Sequence, residues 1–318
     1  MKKQILAIIS LALILIMGLS ACGGTKLTMG TGGTGGTYYA FGGVLSQYIS
    51  KNVGVNCTAV STDGSKANIQ GVDAGDYQLA TVQSDVMAYA WNGTNTFAED
   101  GKVDGFRVIG GLYAECVQII TTDPSIKSVA DLKGKTVSIG APGSGVYFNA
   151  IDVLTAAGLT EDDINAQYQS FNDSAESLKD GTIDAGFIVA GPPTPAITQL
   201  AASAKAYLVP VDGAVAEKVM ANCPYYTAYT IPAGTYDGQD KDVQTVAVKA
   251  TMIISADVDD ETAYQITKAI FDNTEAITAE YAKGSELSIE NATTGMTAPF
   301  HTGAARYFAE KGVTVESK

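Results

Sequence analysis

The chain has 318 residues, with 20 Lys+Arg against 34 Asp+Glu, a formal charge of −14, one His and four Cys. That length suits about two domains, and 46% apolar with 17% charged content describes a folded chain rather than a disordered or polytopic membrane one. The acidic balance leaves no basic stripe to neutralise phosphates, so nucleic acid is not an expected partner, and one His gives metal or His-based chemistry little to work with.

Lys2 and Lys3 precede an apolar run from Ile5 to Leu19 that ends at Ser20-Ala21-Cys22. A basic start, a short apolar stretch and small residues describe a secretory signal peptide over residues 1–21. As helix the run reaches about 22 Å, short of a hydrocarbon core of about 30 Å, so it reads as a leader rather than a span. Leu19-Ser20-Ala21-Cys22 resembles the bacterial lipobox. The resemblance implies cleavage before Cys22, its acylation, and an extracytoplasmic protein anchored to the membrane through lipid. An ordinary cleaved leader with an incidental Cys is the plainer alternative. More than one acyl chain anchors stably where a single chain is marginal. Residues 22–26 then form a lipidated tether opening on Gly23 and Gly24. The mature body carries −16 once Lys2 and Lys3 are lost. It keeps Cys57, Cys116 and Cys223, which allow at most one disulfide and fit no metal spacing; buried free thiol is the expected role for at least one.

Lys26–Met29 alternates as a short strand and runs into the glycine-rich stretch Gly30–Gly36. Tyr38, Phe41, Val44, Leu45, Tyr48 and Ile49 then recur at helical spacing, with Thr37 placed to cap that helix. Val55–Val60 reads as a strand, Ser65–Asp73 as a helix, and Gln78–Val82 as a buried strand leaving through Gln83-Ser84-Asp85 into another helix. The order then repeats. Thr136–Ile139 is a strand, Gly143-Ser144-Gly145 a glycine turn, and Val146–Ala157 a helix stopped by Gly158. Ala166–Ser170 is a strand, Ala175–Lys179 a helix, and Asp184–Val189 a buried strand that exits through Gly191-Pro192-Pro193.

Strands alternating with helices imply parallel sheets with right-handed crossovers, where ligands bind at strand carboxyl ends beside helix N-termini. Val117–Thr121 and the β-rich Val243–Ile254 read as two crossings between the halves, and Thr262–Tyr281 and Ala304–Lys311 as helices returned to the first. The expected fold is α/β, a two-lobed clamshell in which each lobe is a mainly parallel sheet flanked by helices. Lobe 1 takes residues 27–118 plus 243–318 and lobe 2 residues 119–242.

Gly30, Gly32 and Gly35 satisfy G-x-G-x-x-G, yet Lys51–Asn56 lack the acidic residue that a dinucleotide ribose needs, and Asp63 comes too late. A P-loop fails because Gly36 stands where its Lys belongs. Ser144 lacks a nucleophile elbow, with Pro142 at the first glycine position. His301 reads as a structural residue, Glu161-Asp162-Asp163 as a solvated helix start, and Tyr225, Tyr226 and Tyr229 as pocket lining or strand burial alike. No catalytic residue, cofactor or metal is expected. What remains is a pair of glycine loops opening helices whose N-termini carry about half a positive charge each, an arrangement that holds a carboxylate without Arg. Glycines that merely permit tight turns are the alternative.

Gly30-Thr31-Gly32-Gly33-Thr34-Gly35-Gly36-Thr37-Tyr38-Tyr39 resembles the opening loop of the TAXI family, solute receptors of TRAP transporters. Val82–Asp85, Gly140–Gly145, Val189–Ile197 and Gly295-Met296 with Pro299 and His301–Ala304 match in family order, so the resemblance covers nearly the whole mature chain. The family pattern has Pro where Thr302 stands and Thr where Val146 stands. The resemblance implies a type II periplasmic-binding-protein fold and a monomeric receptor that closes on a small organic acid, such as glutamate or 2-oxoglutarate, or on another amino acid. It implies delivery to paired small and large TRAP membrane subunits for ion-coupled uptake, without an ATPase. Carried over by motif, the binding residues are Thr34, Gly36, Thr37 and Tyr38, then Asn68, Gln83 and Ser84. Ser144, Gly145 and Val146 face them, with Gly191 and Pro192 on the rim. A ligand-sensing lipoprotein supplying a sensor kinase needs the same clamshell and is the alternative; an enzyme of unknown type is a third reading.

Overall fold

The computed structural model describes residues 25–318. The expected signal peptide (1–21), the lipidation residue Cys22 and most of the tether lie outside the described residues. Strands β1 (Lys26–Gly30), β2 (Asn56–Val60) and β3 (Leu79–Gln83) pair in parallel around β1. They are connected by α1 (Thr37–Val53) and α2 (Ser65–Asp73), and α3 (Ser84–Asn92) follows β3. The 16-residue strand β4 (Phe106–Thr121) leads into the second set. There β5 (Thr136–Ser138), β6 (Asn165–Gln167) and β7 (Ala185–Ala190) pair in parallel around β5, joined by α4 (Val146–Ala156) and α5 (Phe171–Lys179). α6 (Pro195–Ser203), β8 (Tyr207–Val209), α7 (Gly213–Asn222) and β9 (Thr227–Ile231) precede the return strand β10 (Val243–Ser255). The chain closes on α8 (Asp260–Phe271), α9 (Thr274–Glu280), α10 (Ile289–Thr293) and α11 (Thr302–Glu310).

The two parallel sets are not separate sheets. They belong to one mixed sheet ordered β2-β1-β3-β10-β4-β7-β5-β6, with β8 beside β4 and β9 beside β10. The reason is the length of β4 and β10, which pair antiparallel with each other from Ala247–Cys116 to Ser255–Phe106. β10 meets β3 at Ala250–Ile254, while β4 meets β7 at Cys116–Thr121. The expected crossing Val117–Thr121 is thus only the far end of a strand that begins at Phe106.

Burial divides the interior along the same line. One cluster draws on Leu27 to Tyr113 and Ala250 to Phe308, and includes Phe41, Leu45, Ile109, Ile266 and Phe308. The other two lie between Cys116 and Val248. Core side chains of this size contribute about 1.5–3 kcal/mol each through removal from water.

Helix ends explain most differences from the expected boundaries. α5 starts four residues before Ala175 because the Ser170 hydroxyl accepts from the Asp173 N–H at 3.2 Å, an N-cap. α8 is capped by Asp259, which accepts from Thr262 N at 2.9 Å, and the expected single helix Thr262–Tyr281 breaks at Asp272-Asn273. His301 is structural: Nδ1 accepts from Gly303 N at 3.2 Å to cap α11, and Nε2 lies 2.8 Å from the Val258 carbonyl, which fixes the proton on Nε2. Cys57, Cys116 and Cys223 are all buried free thiols. Among the described residues no helix is long and apolar enough to cross a membrane, and no cluster of three metal-ligating side chains occurs.

Candidate functional site

A cavity of about 340 Å³ lies where the two parallel sets face each other. Four helices open onto it, because Gly36, Gly64, Gly145 and Ser170, the N-caps of α1, α2, α4 and α5, all line it. The first N–H groups of a helix have no partner inside it and carry the positive end of the dipole. The first turns of α1, α2 and α4 contain no acidic residue to offset that end. The α2 terminus is already occupied, since Lys66 and Ala67 N–H groups donate to the Gly143 carbonyl at 3.2 and 3.3 Å. Gly143 has φ +81°, a left-handed conformation that glycine alone adopts without strain, and this turn aims its carbonyl at α2. The α5 start carries Asp173 and spends one N–H on the Ser170 hydroxyl, which leaves the α1 and α4 ends as the donor sets with neither an acid in the first turn nor a side-chain cap.

Of the residues expected at the site, Thr34, Gly36, Thr37, Tyr38, Gln83, Ser144, Gly145 and Val146 line the cavity, and Asn68, Ser84, Gly191 and Pro192 do not. Asn68 is instead a clamp within α2. Its amide donates to the Thr31 and Thr81 carbonyls at 2.6 and 2.8 Å, and its oxygen accepts from the Thr62 hydroxyl at 2.7 Å. Ser84 turns the other way, accepting from Lys249 N at 3.2 Å beside a separate depression. Gly191 contributes through its carbonyl, which accepts from the Thr37 hydroxyl at 2.6 Å and ties the 191–193 loop to the start of α1. That bond corrects the expected cap: Gly36 holds the N-cap position, and Thr37, the first helical residue, spends its hydroxyl across the cavity. Tyr225 and Tyr229 are not among the lining residues, and the Tyr226 hydroxyl donates to Asp152 at 3.0 Å.

Hydrogen bonds join the two halves beside the cavity at two places. At one, Ala196 N donates to the Gly35 carbonyl at 3.0 Å and Asn172 to the Thr34 hydroxyl at 3.1 Å. At the other, Gln83 Nε2 donates to Asn149 Oδ1 at 2.9 Å, and Asn149 donates in turn to Asp85 at 2.9 Å. Burial pushes the Asp85 carboxyl up to about 6 against the lowering pull of Asn149. Gly145 fits so closely under the Gln83 carboxamide that a Cβ there would overlap it. Gln118 organises the second half from behind, donating to the Ala190 carbonyl at 3.2 Å and the Thr194 hydroxyl at 2.9 Å and accepting from the Tyr236 hydroxyl.

Residues that sequence reasoning did not single out complete the lining. Glu115 sits on β4 between the cores, 1% exposed, and its Oε2 accepts from the Tyr38 hydroxyl at 3.1 Å. Burial is the main cause holding its carboxyl well above the ordinary carboxylate range. Its signal was available, since it is the one carboxylate between Val108 and Ile120 in a strand otherwise fit for burial. Asp63, Ser61, Thr62, Gln169, Phe171 and Asn172 also line the space. The Ser170–Asp173 capping pair gave a readable cue for this last group. Taken together, the site offers backbone and hydroxyl donors at two helix starts and a buried acid opposite, which suits a small polar ligand.

A family model described as the NMT1-like family matches residues 29–312. Among solved structures, the chain is similar to PhnD1 from Prochlorococcus marinus in complex with methylphosphonate, at 12% identity over 81% of this chain and 90% of that one, with a TM-score of 0.55. It is similar to the alkanesulfonate-binding protein SsuA from Xanthomonas axonopodis pv. citri bound to MOPS, at 14% identity, 92% of each chain and a TM-score of 0.51. A putative L-cystine ABC transporter protein from Listeria monocytogenes matches at 17% identity over 83% of this chain and 98% of that one, TM-score 0.51. These likenesses show the fold, which is that of type II periplasmic binding proteins. With the family match spanning almost all of the described residues, the chain belongs to the NMT1-like family.

Proposed function

We propose that the protein is an extracytoplasmic solute-binding receptor that captures a small organic acid by hinge closure and hands it, unaltered, to TRAP small and large membrane subunits for ion-coupled uptake. In this reading, residues 27–118 plus 243–318 form one lobe, residues 119–242 form the other, and Cys22 carries the lipid anchor of a monomer. The observation that carries the reading is the cavity of about 340 Å³ where helix starts from both halves converge, with no Lys or Arg among its lining residues. A ligand carboxylate lies on the first turns of α1 and α4, with polar contacts from Thr37, Gln83 and Ser144. Contact with both lobes stabilises the closed form, which is all that a ligand needs to drive closure.

Native mass spectrometry of protein purified without refolding identifies the retained ligand, and a thermal-shift screen of organic acids tests it. At 100 times its dissociation constant, a ligand adds about 2.7 kcal/mol of stability, a readily measured shift. Absence of any shift across carboxylates and amino acids refutes the binding reading. Chemical change of the bound acid refutes the carrier role. In proteoliposomes, uptake driven by an ion gradient without ATP supports the TRAP partner, and uptake that needs ATP replaces it with an ABC transporter. Binding with no transport in either system leaves the sensor role.

A further inference from the structure

The charge inventory of the cavity is one-sided. Its lining contains no Lys, Arg or His, while Asp63 and Glu115 both contribute carboxyls. Gln83 and Gln169 also line it, and each has a buried side-chain oxygen without a hydrogen-bond partner. The Gln83 oxygen is the acceptor end of its amide, because Nε2 is committed to Asn149 at 2.9 Å. The donors at the helix starts therefore share the cavity with unpartnered acceptors and with the Glu115 carboxyl. A second carboxylate or a keto oxygen placed there meets more acceptors, whereas an ammonium supplies three N–H donors and a compensating charge.

Building on the organic-acid reading, we propose that Glu115, together with Tyr38, is the specificity-determining element of the site and selects an acid that also bears a protonated primary amine, so that the ligand class is the α-amino acid rather than its 2-oxo counterpart. The ammonium lies against the Glu115 carboxyl at the crossing of the two cores, and the carboxylate lies on the α1 and α4 starts. Burial, and less so the nearby Asp85 carboxyl, raise the Glu115 carboxyl well above the ordinary carboxylate range, against the opposing influence of Tyr38, Gln83 and Lys283. The other ionisable neighbours do not supply a free cation. Lys283 is paired with Glu286 at 2.6 Å and lies over the Tyr113 ring, and the Cys116 thiol and Tyr113 phenol are themselves held neutral by burial. Seating the ammonium turns the carboxylic acid into a carboxylate: the O–H bond breaks, the proton leaves to buffer, and the ammonium keeps its own protons. Binding thus releases up to one proton, and affinity rises with pH.

Calorimetry on the purified full chain tests this with a panel of amino acids, their matched 2-oxo acids and plain amines, in two buffers of different ionisation enthalpy at pH 6.5 and 8. The expected result is at least a tenfold preference for an amino acid over its 2-oxo match, with proton release on binding. Glu115→Gln, which mimics the neutral acid in shape, is expected to abolish proton release and bring the preference within about twofold. The wild-type proton release is a readout that does not depend on the variant folding. Two-oxo acids binding as tightly as amino acids, or amino acids binding without proton release, overturn the proposal and leave the organic-acid reading standing. Plain amines binding alone, with proton release, overturn that reading and keep the amine subsite. No binding by any amine-bearing probe overturns the proposal outright.

Discussion

Replacing Gly145 with Ala probes closure at its tightest point. The added Cβ overlaps the Gln83 carboxamide and lies 2.8 Å from a Val86 methyl group, both on the other side of the cavity. Gln83 is 2% exposed and tied to Asn149 at 2.9 Å, so it yields only by breaking that bond. A lost buried hydrogen bond costs about 1 kcal/mol and overpacking by one methyl about 2 kcal/mol, which together weaken the closed form roughly 100-fold. The clash is relieved when the halves part, so the ligand-free melting temperature is expected to stay within about 3 °C of wild type. The assay is calorimetric titration with whichever acid the screen identifies, paired with small-angle scattering to read compaction. A Gly145→Ala protein that binds within about threefold of wild type and compacts equally refutes closure through this contact.

Three further outcomes follow from particular groups. Thr37→Val keeps the backbone donor of α1 but strips the hydroxyl from the Gly191 carbonyl, and is expected to weaken binding by about 1 kcal/mol, near fivefold in titration; Thr37→Pro, a residue well suited to a first helical position, removes the N–H as well and is expected to weaken it further. Asp85 has its carboxyl raised to about 6 by burial, so its contribution to stability is fully present below the ordinary carboxylate value and is lost as pH climbs through 6. Asp85→Asn is therefore expected to stabilise by up to about 3 kcal/mol at pH 7.5 and by little at pH 4, read as the difference in melting temperature between variant and wild type. Burial pushes the Cys57 thiol up to about 12 and raises those of Cys116 and Cys223, so none of the three is expected to react with a thiol reagent at pH 8 until denaturant is added.

Much of this architecture is visible in the residue pattern, because hydrophobic period and glycine placement are local properties. Ser65–Asp73 reads as helix at its observed bounds, and the glycine turn at 143–145 opens α4 where its spacing says it should. The joining of the halves is not visible in the same way. Val117–Thr121 reads as a crossing between the halves, and its membership of a strand that begins at Phe106 depends on pairing with β10. Site residues split along the same line. Gly36, Gly145 and Gln83 follow from loop position, since a residue at a strand's carboxyl end or a helix start faces the crevice. Asn68 and Ser84 occupy equally promising positions, yet their side chains are consumed by backbone groups of their own neighbourhood. Which of two polar residues is spent internally depends on tertiary geometry, and so does the exposure of Glu115 to the cavity from mid-strand.

The way β4 and β10 run together has mechanical meaning. A pair of strands hydrogen-bonded along their length bends readily across its flat face and resists shear within its plane. The register slips at Ala250/Thr251 and Met252/Ile253 interrupt the ladder locally, which bends and twists the ribbon there. In the hinge-closure reading proposed above, such a ribbon confines opening to bending across its face, and the mouth loops return to the same mutual alignment at every cycle. A binding surface divided between two bodies keeps its accuracy only under such a guide, and sequence changes in the loops can retune what is held without disturbing how the jaws meet.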